Sequence, residues 1–289
     1  MKVLLISTVD AAGSRLTLFD RMVKSIAESA KTLPDDALTL CILFQNCSED
    51  RLTTLRTNLP AFVECSCVDR FVPLSVARNM LLSPKRAAGV MDAGAVVAFP
   101  DDDAWYPDKF LAGVVGLFRD HANLDFWFCR YGAKPRSGDW SAPALTSASR
   151  SAVVRKSSSN TIFVRGSVAA AVGEFDEKLG VGTALASAED VDYALRIFDV
   201  ARLSVLRDEA LVGHRDKPPG LRGKYYPGSL FVVARHARRA GLSEFLRKIA
   251  IGLYLVVKGE LSLGRYVSAL RTALSAFDQP IGGHKLAQE

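Results

Sequence analysis

The chain has 289 residues, of which 49% are hydrophobic and 24% are charged, and its formal net charge is +6. This composition is typical of a globular protein and excludes disordered and collagen-like chains. No stretch approaches the ~20 apolar residues that a membrane-spanning helix needs. The apolar start is short and is soon followed by Asp10, so it predicts a first strand and not a secretory signal. The five cysteines are odd in number and lack zinc-ligand spacing, which favours free thiols in a reducing cytoplasm.

The first hundred residues alternate between short apolar runs and amphipathic segments. Strands are predicted at 2–8, 38–44, 62–68 and 96–99, and helices are predicted to begin near residues 16, 48 and 74. Strands that alternate with helices in this way predict a parallel sheet covered on both faces, and therefore an α/β fold.

The pattern continues in the second half of the chain, with one interruption. Strands are predicted at 125–131, 161–165 and 205–212, and helices at 168–172 and 188–197. Residues 137–160 contain eight serines and predict a loop or insertion, which is either a linker or a lid that orders on substrate binding.

The strand at 96–99 ends in three consecutive carboxylates, Asp101, Asp102 and Asp103. Pro107 follows and is well placed to start the next helix. Open α/β sheets bind their ligands at the carboxyl ends of strands, where these side chains are expected. Because three adjacent like charges repel one another, a divalent cation with oxygen ligands is an obvious way to stabilise them. The motif therefore predicts a metal–diphosphate site, and a solvated loop is the alternative.

Four local matches in this order resemble the family 2 glycosyltransferases. They are the strand–turn–helix opening at 4–26, Leu-Ser-x-Ala-Arg-Asn at 74–79, the acidic motif at 101–103, and the Glu-Asp pair at 189–190 ahead of Arg196. The resemblance covers about residues 1–236. It implies a Rossmann-like GT-A fold that binds a nucleotide-diphospho-sugar, with a central, mostly parallel sheet flanked by helices and a C-terminal helical extension.

In such enzymes the acidic motif binds the metal, Mn²⁺ or Mg²⁺, and the ribose. Carried over to this chain, Asp102 is the first choice for direct metal contact and Asp101 for the ribose or the metal shell, while Asp103 shares either role. Relatives often carry an Asp where this chain has Pro100, which leaves the assignment among the three open. His214 lies where relatives place a histidine that reaches the metal or diphosphate, and a structural histidine is the alternative.

The resemblance also implies a set of residues that contact the nucleotide. They are Thr8, Asp10 and Arg15 in the first turn, Gln45 and Asn46 after the second strand, and Arg78 and Asn79 in the third helix. The family commonly has an Asp at the Gln45-Asn46 position that touches the base, so the base remains open here. For Arg78 the alternative is an ordinary arginine on a helix surface.

Asp190 resembles the general base of these enzymes, which takes the proton from the acceptor hydroxyl in a single inverting displacement. The neighbouring Glu189 is expected to raise the pKa of Asp190. The alternative is that both acids complement the positive end of a helix dipole. Asp192, on the same turn, is expected to be structural.

The positive charge is concentrated near the end of the chain. Residues 215–271 contain twelve Lys and Arg against three acids, which leaves the rest of the chain slightly acidic. An apolar block at 249–257 lies between Lys248 and Lys258. A basic amphipathic helix of this kind is typical of segments that lie on anionic membranes, and packing on the core or a dimer contact is the alternative. Nucleic acid is disfavoured because no aromatic platform accompanies the charge.

These observations predict a catalytic domain at 1–225, with a nucleotide-binding half at about 1–106 and an acceptor half at 107–225, followed by a basic helical tail at 226–289. The predicted activity is inverting transfer of a sugar to the hydroxyl of a saccharide or lipid-linked saccharide. Its expected setting is capsule, exopolysaccharide or O-antigen assembly, in the cytoplasm or on the cytoplasmic face of the membrane. The alternatives are a nucleotidyltransferase, which normally has a glycine-rich phosphate-binding loop, and a non-catalytic scaffold that binds the nucleotide-sugar.

Overall fold

A computed structural model describes residues 1–140, 145–215, 220–240, 242–277 and 279. Its centre is one sheet of seven strands in the spatial order β3-β2-β1-β4-β6-β5-β7. The strands are β1 (Lys2–Asp10), β2 (Leu38–Gln45), β3 (Val63–Cys67), β4 (Ala95–Ala98), β5 (Leu124–Gly132), β6 (Ile162–Arg165) and β7 (Leu203–Gly213).

Eleven helices are assigned within the described residues. They are α1 (Leu16–Ser29), α2 (Glu49–Arg56), α3 (Leu74–Ala87), α4 (Phe110–Asp120), α5 (Arg150–Lys156), α6 (Gly166–Val172), α7 (Glu189–Val200), α8 (Leu221–Arg235), α9 (Ala237–Ala240), α10 (Leu242–Val257) and α11 (Leu263–Ala276).

The sheet is parallel except at β6. β1 pairs in parallel with β2 and β4, β2 with β3, and β5 with β7, whereas β6 is antiparallel to both β4 and β5. The carboxyl ends of β1, β2 and β4 therefore meet at one edge of the sheet, where α/β folds place ligands. The predicted fold class, a mostly parallel sheet flanked by helices with a helical extension, is confirmed.

The core has two parts because neighbouring residues of each strand face opposite sides of the sheet. On β1, Leu4 and Ile6 pack on the side that carries α6, α7 and α8. Val3 and Leu5 pack on the side that carries α1 and α4. β4 is buried along its whole length, which explains its continuous apolar sequence.

The prediction of a loop over 137–160 is wrong for α5 (Arg150–Lys156), although residues 141–144 lie outside the described residues. The Ser149 hydroxyl accepts a hydrogen bond from the Ala152 N–H at 3.1 Å and caps this helix. Val153 and Val154 are buried in the core, so α5 is stabilised by tertiary packing that a serine-rich composition hides.

The last helices pack on the same core as the sheet. The predicted boundary at 225/226 falls inside α8, whose Tyr226, Leu230 and Phe231 side chains are buried. Among the described residues, no helix combines the length and the hydropathy needed to cross a bilayer.

α10 is joined to α5 through the buried carboxylate of Glu244. It accepts hydrogen bonds from Ser151 Oγ at 2.6 Å, from Arg155 Nη2 at 2.5 Å and from Arg247 Nε at 2.7 Å. Burial opposes ionisation, but these three donors outweigh it and lower the pKa of Glu244 to about 2.

We expect Glu244→Gln to lower the free energy of unfolding by about 1.5–3 kcal/mol at neutral pH, the usual range for hydrogen bonds to a charged group. Because the pKa is depressed in the folded state, this stabilisation is complete above the ordinary glutamate value of 4.5 and is lost as the pH falls toward 2. Urea unfolding of both proteins across this pH range measures the difference. A difference that is independent of pH would contradict the assignment.

Candidate active site

Each carboxylate of the acidic motif forms an ion pair with an arginine from a different part of the chain. The pairs are Asp101 with Arg78 at 2.9 Å, Asp102 with Arg15 at 2.6 Å and Asp103 with Arg215 at 2.7 Å. Asp102 and Asp103 are buried, and Asp101 keeps 31% of its side-chain surface exposed. The alternative of a solvated loop is therefore wrong. The protein itself offsets the repulsion among these carboxylates, so repulsion alone does not require a metal ion.

A short bridge beyond the motif brings the end of β7 against it. The Trp105 N–H donates to the Gly213 carbonyl at 2.9 Å, and the Gly213 N–H donates to the Trp105 carbonyl at 2.7 Å. A Cβ atom at residue 213 would lie only 2.0 Å from the Trp105 ring, so this close approach requires glycine. The next residue, His214, is thereby placed beside Asp103.

Asp101, Asp103 and His214 form a group whose ligand atoms all lie within 4.8 Å of one another. His214 Nε2 lies 3.2 Å from Asp103 Oδ1 and 4.0 Å from Asp101 Oδ2, while its Nδ1 contacts the Arg215 carbonyl at 2.7 Å. Two carboxylates and one imidazole fit a divalent cation, and the nitrogen ligand favours Mn²⁺ over Mg²⁺, which takes oxygen ligands. Asp102, expected first for direct metal contact, is not in this group, because Arg15 binds both of its oxygens.

The charges around this group set the protonation of its members. Burial opposes ionisation of Asp103, but the His214 hydrogen bond and the charges of Arg15 and Arg215 overcome it and lower the pKa of Asp103 to about 2. Burial disfavours the charged form of His214, but the Asp103 carboxylate prevails and raises the pKa of His214. Burial also raises the pKa of Asp102, against the opposing effect of Arg15.

The Glu189-Asp190 pair, at the start of α7, is connected to the acidic motif through Arg78. The Arg78 side chain is 1% exposed and donates from Nη1 to Glu189 at 3.2 Å and from Nη2 to Asp101 at 2.9 Å. This burial excludes the alternative of a surface arginine. Burial, together with the charge of Asp190, raises the pKa of Glu189.

Two further residues, which were not predicted from the sequence, contact these acids: Ser159 connects Asp101 to Asp190, and Asn160 binds Asp101. Ser159 donates from its backbone N–H to Asp190 at 3.3 Å and from its hydroxyl to Asp101 at 3.3 Å. Asn160 donates to the Asp101 carboxylate at 3.0 Å and accepts from the Asp101 N–H at 2.6 Å. The signal in the sequence was the Ser158-x-x-Thr161 spacing, which forms a capping box around this turn.

The expected nucleotide contacts at the ends of β1 and β2 are bonded to one another. Gln45 donates to Thr8 Oγ1 at 2.8 Å, and its amide oxygen accepts from the Val72 N–H at 2.8 Å. Asn46 donates to Asp10 at 3.0 Å and has a positive φ of 52°. Gln45 is buried, so its amide holds β1, β2 and the segment after β3 together.

Asn79 lies apart from these groups. Its amide oxygen accepts from the Phe175 N–H at 2.8 Å, and its nitrogen donates to the Phe175 carbonyl at 3.0 Å and to Glu177 at 3.1 Å. Asn79 therefore fastens the segment before α7 to α3. The structure brings eight of the residues predicted from the sequence together in one cluster. They are Arg15, Arg78, Asp101, Asp102, Asp103, Glu189, Asp190 and His214.

The chain is similar over 97% of its length to several solved glycosyltransferases. S. aureus TarS matches with a TM-score of 0.65 and 16% identity, and the chain spans 50% of that protein. TarS 1–349 in complex with UDP matches with a TM-score of 0.64, 17% identity and 82% coverage. The mannosyltransferase PcManGT from Pyrobaculum calidifontis, in complex with GDP-Man and Mn²⁺, matches with a TM-score of 0.60, 13% identity and 77% coverage.

At these identities the comparison establishes the fold alone, which is that of the GT-A glycosyltransferases. No protein-family model matches the sequence, and no curated protein does. The activity of this chain therefore has to be argued from the geometry of its own residues.

We expect Arg78→Met to lower the free energy of unfolding by about 3–5 kcal/mol, because it leaves Asp101 and Glu189 without the buried cation between them. Arg119→Met is the matched control, since Arg119 is 69% exposed and its solvent-screened pair with Asp120 should contribute little to the free energy of unfolding. Chemical unfolding of the three proteins gives both values. Equal stability of Arg78→Met and the wild type would show that Arg78 does not hold the site together.

Proposed function

We propose that this protein is an inverting glycosyltransferase that moves a sugar from a nucleotide-diphospho-sugar to an acceptor hydroxyl. The observation that carries the proposal is that the acidic motif at 101–103 and the Glu189-Asp190 pair lie together at one edge of a GT-A fold. Asp101 belongs to a possible metal group and is joined through Arg78 and Ser159 to Glu189 and Asp190. A donor bound at the acidic motif would present its anomeric carbon near the Glu189-Asp190 pair.

In the proposed reaction Asp190 is the general base. Its carboxylate takes the proton from the acceptor hydroxyl as that oxygen attacks the anomeric carbon. The bond between the anomeric carbon and the diphosphate oxygen breaks, and the nucleoside diphosphate leaves with the bonding electrons. A single displacement of this kind inverts the configuration at that carbon. Ser159 and the Val191 N–H, at 3.3 and 2.8 Å, would hold the Asp190 carboxylate in position.

We propose Asp101, Asp103 and His214 as the residues that would hold a divalent cation, with Mn²⁺ favoured. When bound, the cation would screen the diphosphate and stabilise it as a leaving group. Arg215, which pairs with Asp103 and is 57% exposed, is free to turn toward the diphosphate once a cation shares that carboxylate. Arg15 keeps Asp102 neutralised, and Arg78 keeps Asp101 and Glu189 at a fixed separation.

The acceptor proposed is a saccharide or lipid-linked saccharide in cell-surface polysaccharide assembly. A lipid-linked acceptor would bring the enzyme to the cytoplasmic face of a membrane. The supporting observation is the basic, partly apolar surface of the last two helices, because such a surface suits an anionic bilayer.

Incubation with a panel of UDP- and GDP-sugars and Mn²⁺ tests the reaction class. We expect release of nucleoside diphosphate, and release that falls away when the metal is chelated. Pyrophosphate would instead identify a nucleotidyltransferase. If the protein binds a donor but forms no product with any of the acceptors tested, a non-catalytic scaffold would be favoured.

We expect Asp190→Asn to leave donor binding within about twofold of the wild type while lowering the rate of transfer by 10²–10⁴-fold, the usual contribution of a general base. Asp50→Asn is the matched control, because Asp50 is also an acid in the first turn of a helix but lies in α2. Calorimetric donor titration and initial rates of diphosphate release give the two quantities. Unchanged transfer in Asp190→Asn would refute the assignment of the base.

A further inference from the structure

The exposed apolar side chains of this protein are concentrated in its last two helices. In the described part of the chain thirteen large hydrophobic side chains are exposed, and eight of them lie in α10 and α11. On α10 they are Leu242, Leu246, Leu253, Tyr254 and Val257, and Val257 is 86% exposed. Leu246, Leu253 and Val257 recur at spacings of seven and four residues, which places them on one face of the helix. We call this face the outer stripe of α10.

The opposite face of α10 is firmly packed. Phe245 and Leu255 are buried, and the Phe245 ring meets the Phe277 ring edge-on at 5.0 Å. Gly252 lies so close to the neighbouring helices that a Cβ atom there would be 2.2 Å from the Tyr226 hydroxyl and 2.5 Å from the Tyr266 ring. The outer stripe is therefore held outward by a helix fixed on the body of the protein.

The sequence of the last two helices is basic. Residues 242–277 contain five Lys and Arg and two acids, and Glu244 and Arg247 offset each other because they form an ion pair. At the end of the stripe, Lys258 Nζ lies 5.8 Å from the centre of the Tyr254 ring. Apolar side chains bordered by cations match the two layers of an anionic bilayer surface, acyl chains below and phosphate headgroups above.

We infer that α10 docks on anionic phospholipid, with the outer stripe inserted among the acyl chains and Lys258 at the headgroups. The helix of 16 residues is about 24 Å long, so it lies in the interface and does not cross the bilayer. A second copy of this chain fits less well, because a symmetric contact through α10 would set two basic surfaces against each other. The inference does not depend on the proposed transfer reaction.

Sedimentation of the full chain with lipid vesicles tests this docking. We expect binding to vesicles of equal parts phosphatidylcholine and phosphatidylglycerol, and little binding to phosphatidylcholine alone. The double variant Leu246→Glu with Val257→Glu should weaken the anionic-vesicle partition coefficient at least tenfold, because it places charge in the acyl layer. Lys258→Gln should weaken it about fivefold, the usual effect of one cation at such a surface.

Val200→Glu is the matched control, since Val200 is 47% exposed but belongs to α7 and not to α10 or α11. It should bind vesicles as the wild type does. The inference is overturned if the wild type ignores anionic vesicles, or if the double variant binds them as well as the wild type. It is also overturned if the wild type does not bind vesicles and light scattering shows that it forms an oligomer without lipid, which the double variant does not form.

Discussion

The buried guanidinium of Arg78 is the contact on which the site depends. It comes from α3 and reaches two elements distant in sequence, donating to Asp101 after β4 and to Glu189 at the start of α7. A buried carboxylate is costly unless a cation and hydrogen bonds accompany it, and Arg78 supplies both to two carboxylates at once. Because it does so, the group of Asp101, Asp103 and His214 is held at a fixed separation from the first turn of α7, which carries Asp190. Arginines also accompany the other two carboxylates of the acidic motif, Arg15 at Asp102 and Arg215 at Asp103.

The fold was predictable because its strands are short, apolar and separated by amphipathic helices, a pattern that depends on local sequence alone. The capped helix α5 was missed because it is stabilised by the packing of Val153 and Val154 against distant elements, and not by a local apolar period. Within the site, the sequence located the acidic residues but not their partners. Asp102 turns to Arg15 while Asp103 meets His214, and that choice follows from the Trp105–Gly213 bridge between segments over a hundred residues apart.

The helical extension is part of the same body as the site. Asp192 of α7 is buried against Arg235 and against His236 Nε2 at 2.8 Å, so the end of α8 is fixed to the helix that begins with Glu189 and Asp190. The His236 hydrogen bond and the charges of Arg196 and Arg235 outweigh the effect of burial and hold the pKa of Asp192 far below its usual range. α8 in turn carries α10 and α11. The candidate base and the inferred lipid-binding stripe therefore belong to one packed unit, which would give the site a defined orientation on a membrane surface.

The most direct test of the account is whether Asp103 helps to hold a cation together with a nucleoside diphosphate. Electron paramagnetic resonance of Mn²⁺, with UDP or GDP present, measures the free ion as protein is added. The account predicts one bound Mn²⁺ per chain in the wild type, and binding at least about tenfold weaker in Asp103→Asn. Equal binding of Mn²⁺ by the two proteins, or no binding by the wild type, would contradict it.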